Sequence, residues 1–308
     1  MSSDNDLSAA ALPAATEKCC ASCGIAAIDE IKLKPCPHCD LVKYCNDQCQ
    51  KDHLKEHEDA CKERAAKLYD EILFKQPESS HLGDCPICFL PMSIDVYKNR
   101  AEACCGQIIC RGCIHASNVA RRFKENRCPF CRHLAPRTDE EIERLNTERA
   151  ELNDPNALRG LAKFNFLRGD YESAFKYWNR AAALVDAESL YNLSIMYGRG
   201  EGVEKDMDKR RALLEKASIV GHPAARYNLG CYEANYGRFD RAVKHWIIAA
   251  SLGEDTATKA LTKCYKNGHL KKEDFAAALR AHQAAVDAMK SPQRQAAELW
   301  DACFNDNE

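Results

Sequence analysis

Residues 36–61 read CPHCDLVKYCNDQCQKDHLKEHEDAC, and they decide how the N-terminal part of this chain folds. With two cysteines just upstream, eight Cys and His residues form four pairs: Cys20 and Cys23, Cys36 and Cys39, Cys45 and Cys49, and His57 and Cys61. A Cys-x2-Cys pair presents two thiolates from one tight turn, and two pairs complete the four ligands of a tetrahedral zinc ion. The last pair lies on a predicted helix, where an i, i+4 spacing turns both side chains to one face. The pattern therefore predicts two zinc sites.

A second cysteine-rich stretch, residues 85–132, repeats this arrangement with cysteine at every position. Its four pairs are Cys85 and Cys88, Cys104 and Cys105, Cys110 and Cys113, and Cys128 and Cys131. Two adjacent side chains can bind one ion only where the backbone turns sharply, and Gly106 permits such a turn. If only one of Cys104 and Cys105 binds, His115 is the candidate for the missing ligand. The two clusters together predict four zinc ions.

Cysteine usage divides the 308 residues into two unlike parts. Sixteen of the 19 cysteines lie between Cys19 and Cys131, and the other three are Cys231, Cys264 and Cys303. Such density is typical of secreted disulfide frameworks or of metal sites. Residues 1–18 lack the basic start and apolar core of a secretory signal, and they are predicted to be a disordered tail. We therefore expect a reducing, cytoplasmic or nuclear compartment and metal sites rather than disulfides.

The charge balance argues against nucleic acid as the main partner. The formal net charge is −2. Zinc held by four thiolates carries a net −2, and zinc held by three thiolates and a histidine carries −1, so four loaded sites bring the chain to about −9. That charge opposes binding to a phosphate backbone. No apolar run reaches the length of a membrane span, so no membrane partner is expected either.

The C-terminal half of the chain repeats itself. A shift of 68 residues places Trp178 on Trp246, and the interval divides into units of 32 and 36 residues. Each unit reads as a helix, a Gly-containing turn and a second helix, which predicts an array of helical hairpins. The aromatic residues at helical spacing are expected to pack between helices. They are Tyr171, Trp178, Phe239 and Trp246.

The longer unit carries its extra residues in the loop 198–203. This loop and the following Asp206 resemble the Sel1-like repeats, relatives of the tetratricopeptide repeats, and the resemblance covers about residues 155–286. It implies an all-α array whose long face binds a partner protein.

The segment from Tyr44 to Gln50, followed by His57 and Cys61, resembles the MYND zinc finger. The resemblance implies that pairs one and three share one zinc ion and that pairs two and four share the other. Leu54 stands where the family usually has a tryptophan that helps to form a groove for proline-rich peptides. Cys19, His38 and His53 are interpreted as residues that do not bind zinc.

The second cluster resembles a RING finger with cysteine at all eight positions. The resemblance implies the same interleaved pairing, with Cys85, Cys88, Cys110 and Cys113 at one zinc ion and Cys104, Cys105, Cys128 and Cys131 at the other. It also implies contacts to a ubiquitin-conjugating enzyme and its ubiquitin through Ile87, Pro129 and Arg132. The tryptophan that many active members carry four residues after the sixth ligand is Ser117 here.

These observations predict a multidomain protein in which two small zinc-stabilised cross-brace domains precede an all-α helical-hairpin array. The predicted segments are a disordered tail (1–18), a MYND finger (19–61), a helix and linker (62–84), a RING finger (85–132), a helical linker (133–154), the repeats (155–290) and a C-terminal tail (291–308). Thr138 and Glu141 form a capping box that starts the helix of the helical linker.

The RING resemblance implies a ubiquitin ligase that positions a ubiquitin-loaded conjugating enzyme, while the repeats and the MYND finger recruit a protein substrate. Such a ligase has no catalytic side chain of its own and acts by positioning. The alternative is a zinc-dependent interaction scaffold without enzymatic activity, or a transcription cofactor. Ser117 favours the scaffold, whereas Ile87, Pro129 and Arg132 favour the ligase.

Overall fold

The computed structural model describes residues 19–25, 32–123 and 126–305, which form two compact units, one within residues 1–73 and one within residues 74–308. The predicted N-terminal tail, residues 1–18, lies outside the described residues. Two cysteine-rich regions with little regular structure precede a long run of helices, as the sequence predicts. None of the helices in the described ranges is long and apolar enough to cross a membrane.

The first unit contains a short β-hairpin and two helices. Its elements are β1 (Lys34–Pro35), β2 (Lys43–Tyr44), α1 (Asp47–Asp52) and α2 (Leu54–Leu73). The Asn46 side chain caps α1 by accepting a hydrogen bond of 2.8 Å from the Cys49 N–H. The buried interior holds little besides sulfur. Its members are Cys20, Cys36, Cys39 and Tyr44.

The second cysteine-rich region is built around another β-hairpin and one helix. Its elements are a 3-10 turn (Val96–Lys98), β3 (Asn99–Ala101), β4 (Ile108–Cys110) and α3 (Arg111–Ala120). Strands β3 and β4 pair antiparallel, with Asn99 opposite Cys110. Three apolar side chains, Met92, Ile109 and Ile114, are buried here among cysteine sulfurs. So small an apolar core needs further stabilisation to hold a fold.

Helices α5 to α12 form the predicted array of hairpins, and α4 lies in the predicted helical linker that precedes it. Their bounds are α4 (Asp139–Glu151), α5 (Pro155–Leu167), α6 (Tyr171–Ala183), α7 (Ala187–Arg199), α8 (Met207–Ile219), α9 (Pro223–Asn235), α10 (Phe239–Ser251), α11 (Asp255–Lys266) and α12 (Lys272–Ala288). Helix α4 begins at the predicted capping residue, since the Thr138 hydroxyl accepts from the Glu141 N–H at 3.3 Å. The Glu141 carboxylate in turn accepts from the Arg137 N–H at 2.8 Å.

The repeat tryptophans pack between helices, as predicted. Trp178 and Trp246 are buried, and the Trp246 indole N–H donates to the Tyr227 carbonyl at 3.2 Å. Phe239 is partly buried against the core, and its ring stacks on His269. The Tyr171 ring packs edge-on against Phe166 of α5, with ring centroids 5.2 Å apart, but it remains 38% exposed at the first residue of α6.

The C-terminal segment differs from the predicted tail of residues 291–308. It contains helix α13 (Pro292–Asn305), which packs against α3. The Ser291 hydroxyl accepts from the Arg294 N–H at 3.2 Å, so a serine cap followed by proline at the first helical position starts the helix. The Ser291-Pro292 pair is therefore the sequence signal for this helix start.

Candidate metal centres

The first predicted pairing brings four sulfurs of the N-terminal cluster together. The members are Cys20, Cys23, Cys45 and Cys49, whose ligand atoms all lie within 4.8 Å of one another. The Cys45 sulfur lies 3.6 Å from that of Cys23 and 3.5 Å from that of Cys49. Burial raises the pKa of Cys20, but hydrogen bonds with the backbone of Cys23 and Cys45 outweigh it and lower the pKa to about 6. This thiol is therefore ready to bind metal as a thiolate.

The second group of the N-terminal cluster combines three sulfurs with one imidazole. Its members are Cys36, Cys39, His57 and Cys61. His57 comes from α2, is buried, and directs Nε2 to within 3.0 Å of the Cys39 sulfur. Burial lowers the pKa of His57, so the ring is held neutral, the form that binds a metal ion. The sulfurs of Cys36 and Cys61 lie 3.8 Å apart.

In the second cysteine-rich region, the first and third pairs meet. The members are Cys85, Cys88, Cys110 and Cys113. Sulfur separations are 3.9 Å between Cys85 and Cys113 and 3.8 Å between Cys88 and Cys110. A hydrogen bond with the Cys110 thiol lowers the pKa of Cys85 to about 4, against the effect of burial. A thiolate at Cys85 is thus favoured before any ion binds.

The remaining group contains both of the adjacent cysteines, Cys104 and Cys105. Cys104 and Cys105 both join Cys128 and Cys131, at sulfur separations of 3.4 Å for Cys104–Cys131 and 3.7 Å for Cys105–Cys128. The sharp turn that this requires ends at Gly106, whose φ is +69°. His115 is not part of the group, and its ring lies 5.4 Å from that of Trp300 on α13.

All four groups fit zinc in chemistry and spacing. With a Zn–S bond of about 2.3 Å, two sulfurs of a tetrahedral site lie about 3.8 Å apart, close to the separations of 3.4–3.9 Å found here. Each group offers four protein ligands, so a bound ion would have no open position for water or substrate. Closed sites of this kind are structural, whereas catalytic zinc sites keep a position open.

The residues that were interpreted as outside the zinc sites also lie outside these groups. Cys19 and His38 belong to none of them, and the Nδ1 atom of His53 lies 3.1 Å from the Tyr44 hydroxyl. His53 also stacks on the ligand His57, with ring centroids 5.7 Å apart. His53 thus packs against a candidate ligand ring and lies outside the candidate group.

A fifth cluster of possible ligand residues was not predicted from the sequence. His81, Glu188 and His222 direct their polar atoms to one point, and both imidazoles are more than nine-tenths buried. These residues come from the linker, the start of α7 and the residue before α9, so no spacing motif links them. His222 Nδ1 accepts from the Ala225 N–H at 3.2 Å, which places the ring proton on Nε2, facing Glu188 at 3.2 Å. The His222 ring is therefore neutral and donates its Nε2 proton to Glu188, so the cluster is a hydrogen-bond network around this carboxylate.

The predicted contacts to a conjugating enzyme lie at the surface of the second cysteine-rich region. Ile87 is 36% exposed, Pro129 is partly exposed, and Arg132 is exposed with a positive φ of 65°. Two neighbouring phenylalanines, Phe89 and Phe130, are exposed as well. Sequence reasoning missed both because it followed only positions that the RING resemblance implies.

Comparison with known families identifies two of the predicted parts. Residues 20–61 match the MYND finger. Three consecutive segments match the Sel1 repeat, at residues 157–186, 187–222 and 223–254. The matched residues leave the second cysteine-rich region outside, so the RING assignment depends on the cysteine geometry alone.

Individual relatives match only part of this chain. A putative β-lactamase, HcpC, of Helicobacter pylori is 36% identical over 18% of this chain and 19% of its own length. The DAP3-binding cell death enhancer 1 of Mus musculus is 25% identical over 43% of this chain and 35% of its own length. The chain thus spans about a fifth to a third of these relatives. A Sel1 repeat protein from Oxalobacter formigenes aligns with a TM-score of 0.42 at 22% identity, over 55% of this chain and 80% of that structure.

Proposed function

We propose that this protein is a zinc-dependent protein-interaction scaffold. The observation that carries the proposal is that all four candidate metal groups are closed by four protein ligands. Ions held in this way stabilise folds and do not activate water or substrate. The function then depends on the surfaces that these folds present to other proteins.

The repeats support the same function. The array buries its apolar residues between helices and leaves long helix faces in solvent, which is how stacked hairpins present a surface to a partner. Three Sel1 repeat matches and a MYND finger match in one chain combine two kinds of interaction module. A scaffold needs such a combination because it must hold more than one protein.

Cobalt substitution tests whether the metal sites are closed. Full-length protein loaded with Co²⁺ should show the absorption of tetrahedral thiolate sites, and added azide should leave the spectrum unchanged. A spectral shift on adding azide would reveal an open coordination position and remove the argument for purely structural ions.

Cross-linking of the full-length protein in cells tests the scaffold itself. We expect cross-linked partners on the repeats, and at least one complex in which two different partners are held together. A protein that is recovered without any cross-linked partner would contradict the proposal.

A second candidate function, a RING-type ubiquitin ligase, is favoured by one specific observation. The second cysteine-rich region interleaves its pairs in the order expected of a cross-brace, and Ile87, Pro129 and Arg132 lie at its surface. The chemistry would be positioning of a ubiquitin thioester on its conjugating enzyme. Ser117, in place of an aromatic contact, weakens this candidate.

Ubiquitin discharge from a loaded conjugating enzyme separates the two functions. If the ligase candidate holds, Arg132→Ala should slow discharge about ten- to a hundredfold, because a charge-assisted hydrogen bond contributes about 1.5–3 kcal/mol. Ile87→Ala should weaken enzyme binding instead, so excess enzyme should restore the rate. Arg280→Ala, an exposed arginine on α12, is the matched control. Equal rates for wild type and Arg132→Ala across a panel of conjugating enzymes would leave the scaffold function alone.

A further inference from the structure

A basic cleft lies between the turn that carries Cys128 and Cys131 and helix α4. It has a volume of about 600 Å³. Its charged lining consists of four arginines and one glutamate: Arg127, Arg132, Arg137, Arg144 and Glu141. Four like charges around one small cleft repel one another, so they favour an anionic occupant.

Two of these arginines have no protein anion of their own. Arg144 pairs with Glu148 at 2.6 Å, and Arg127 donates to the Arg132 carbonyl at 3.2 Å. Arg132 and Arg137 are both exposed, and neither has a carboxylate partner in the part of the chain that the structure describes. Their guanidinium groups therefore remain available to a ligand.

The cleft's own anionic groups are already engaged. The carboxylate of Glu141 accepts the Arg137 backbone N–H at 2.8 Å, as part of the cap of α4. Cys104 and Cys131 also line the cleft, and their sulfurs belong to a candidate zinc group. When zinc binds there, the ion and its four thiolates keep a net charge of −2, and Glu141 adds −1, so the four arginines still leave the cleft with an excess of one positive charge.

We propose that this cleft binds an acidic segment of a partner protein. The proposal rests on the scaffold function and names the chemistry of one partner. A guanidinium group offers a planar fork that matches a carboxylate with two parallel hydrogen bonds. Leu134, which is 59% exposed in the same lining, provides an apolar contact beside the charges.

The composition of the lining favours a peptide over nucleic acid. Among the described residues that line the cleft there is no phenylalanine, tyrosine or tryptophan on which a base could stack. The chain as a whole is acidic, so a long polyanion would be repelled beyond the cleft, whereas a short acidic segment meets only the arginines.

Fluorescence anisotropy with a labelled oligo-glutamate peptide tests the proposal on the full-length, zinc-loaded protein. Arg132→Glu and Arg137→Glu should each weaken binding at least tenfold, and added salt should weaken wild-type binding. Arg137→Lys should keep part of the affinity, since the charge remains but the fork is lost. Arg280→Glu makes the same charge change away from the cleft and should have no effect.

Three results would overturn the proposal. They are equal weakening by Arg280→Glu, wild-type affinity in the double variant Arg132→Glu with Arg137→Glu, and binding of a single-stranded oligothymidine more tightly than oligo-glutamate. Zinc content is measured for each variant, and Arg132 and Arg137 provide independent tests if one variant misfolds. Failure of this proposal would leave the cross-linked partners of the repeats unchanged, so it is distinguishable from failure of the scaffold function.

Discussion

The two cysteine-rich regions and the repeat array hold their chains together by different means. In the region around α3, the buried cluster is three apolar side chains and four cysteines. In the array, one cluster alone joins alanines, Val243, Trp246, Leu261 and Leu270 from helices α10, α11 and α12 and from the turn between α11 and α12. We therefore expect the array to be stable by packing and the cysteine-rich regions to depend on metal. Residues 20–131 are called the metal-dependent half below, and residues 155–290 the metal-independent half.

Removing the metal should produce the largest difference in stability between the two halves. Chelation should unfold residues 20–131, because zinc in small finger peptides contributes about 10–16 kcal/mol of folding free energy. The helices α5 to α12 should remain folded. Elemental analysis of the intact protein should find four zinc ions, and limited proteolysis after chelation should leave a stable core near residues 155–286. Two or fewer ions, or loss of the array together with the metal, would contradict the division.

Truncating a core side chain of the array should destabilise the array and leave the cysteine-rich regions folded. Trp246→Ala should cost about 3–5 kcal/mol of unfolding free energy, since a large buried aromatic leaves a cavity, and it should leave the zinc content unchanged. Urea unfolding monitored by helical circular dichroism measures the loss. Tyr236→Ala, at a position that is 63% exposed, is the control and should be nearly neutral. Zinc loss in Trp246→Ala would show that the halves depend on each other.

Helix α13 follows the array in sequence but packs on the metal-dependent half. Its stability should therefore depend on that contact and not on the array. Arg294 donates to the carbonyls of Leu90 and Pro91 and lies 3.5 Å from the Cys88 sulfur. Arg294→Ala should destabilise this contact by about 1.5–3 kcal/mol, the usual range for charged hydrogen bonds. Hydrogen exchange of the α13 amides should therefore become faster, while α5 to α12 keep their protection. Unchanged exchange in α13 would show that Arg294 does not anchor it.

Acid should destabilise the array through a buried histidine. Burial and the charges of Arg226 and Arg241 lower the pKa of His245 to about 3, so the folded state keeps this ring neutral. The unfolded chain takes up a proton near pH 6.5, so stability is lost as the pH falls below that value. By pH 5 the loss is about 2 kcal/mol. His222, whose pKa is also lowered by burial, acts in the same direction.

Urea unfolding of wild type and His245→Gln at pH 7 and pH 5 measures this effect. The variant should lose less stability between the two pH values, whatever its absolute stability at pH 7. An identical pH dependence would show that His245 is not the group that titrates on unfolding.

Local sequence patterns were sufficient to predict most residues of the candidate metal centres. The Cys-x2-Cys turns and the His57–Cys61 helical spacing are set by a few neighbouring residues, so the ligand pairs could be found without a fold. The capping of α4 by Thr138 and the burial of Trp178 and Trp246 were predictable for the same reason. In each case the interaction that matters is within a turn or within one repeat unit.

By itself, the sequence determined the candidate ligand pairs, the repeat period and the all-α character of the array, because these follow from contacts between near neighbours. The spacing of Cys104 and Cys105 left open whether both belong to one group. Only the tertiary structure brought both sulfurs to Cys128 and Cys131 and packed α13 on α3. It also brought together His81, Glu188 and His222 from three distant segments. Such meetings depend on how whole elements pack, and no periodicity or spacing along the chain records them.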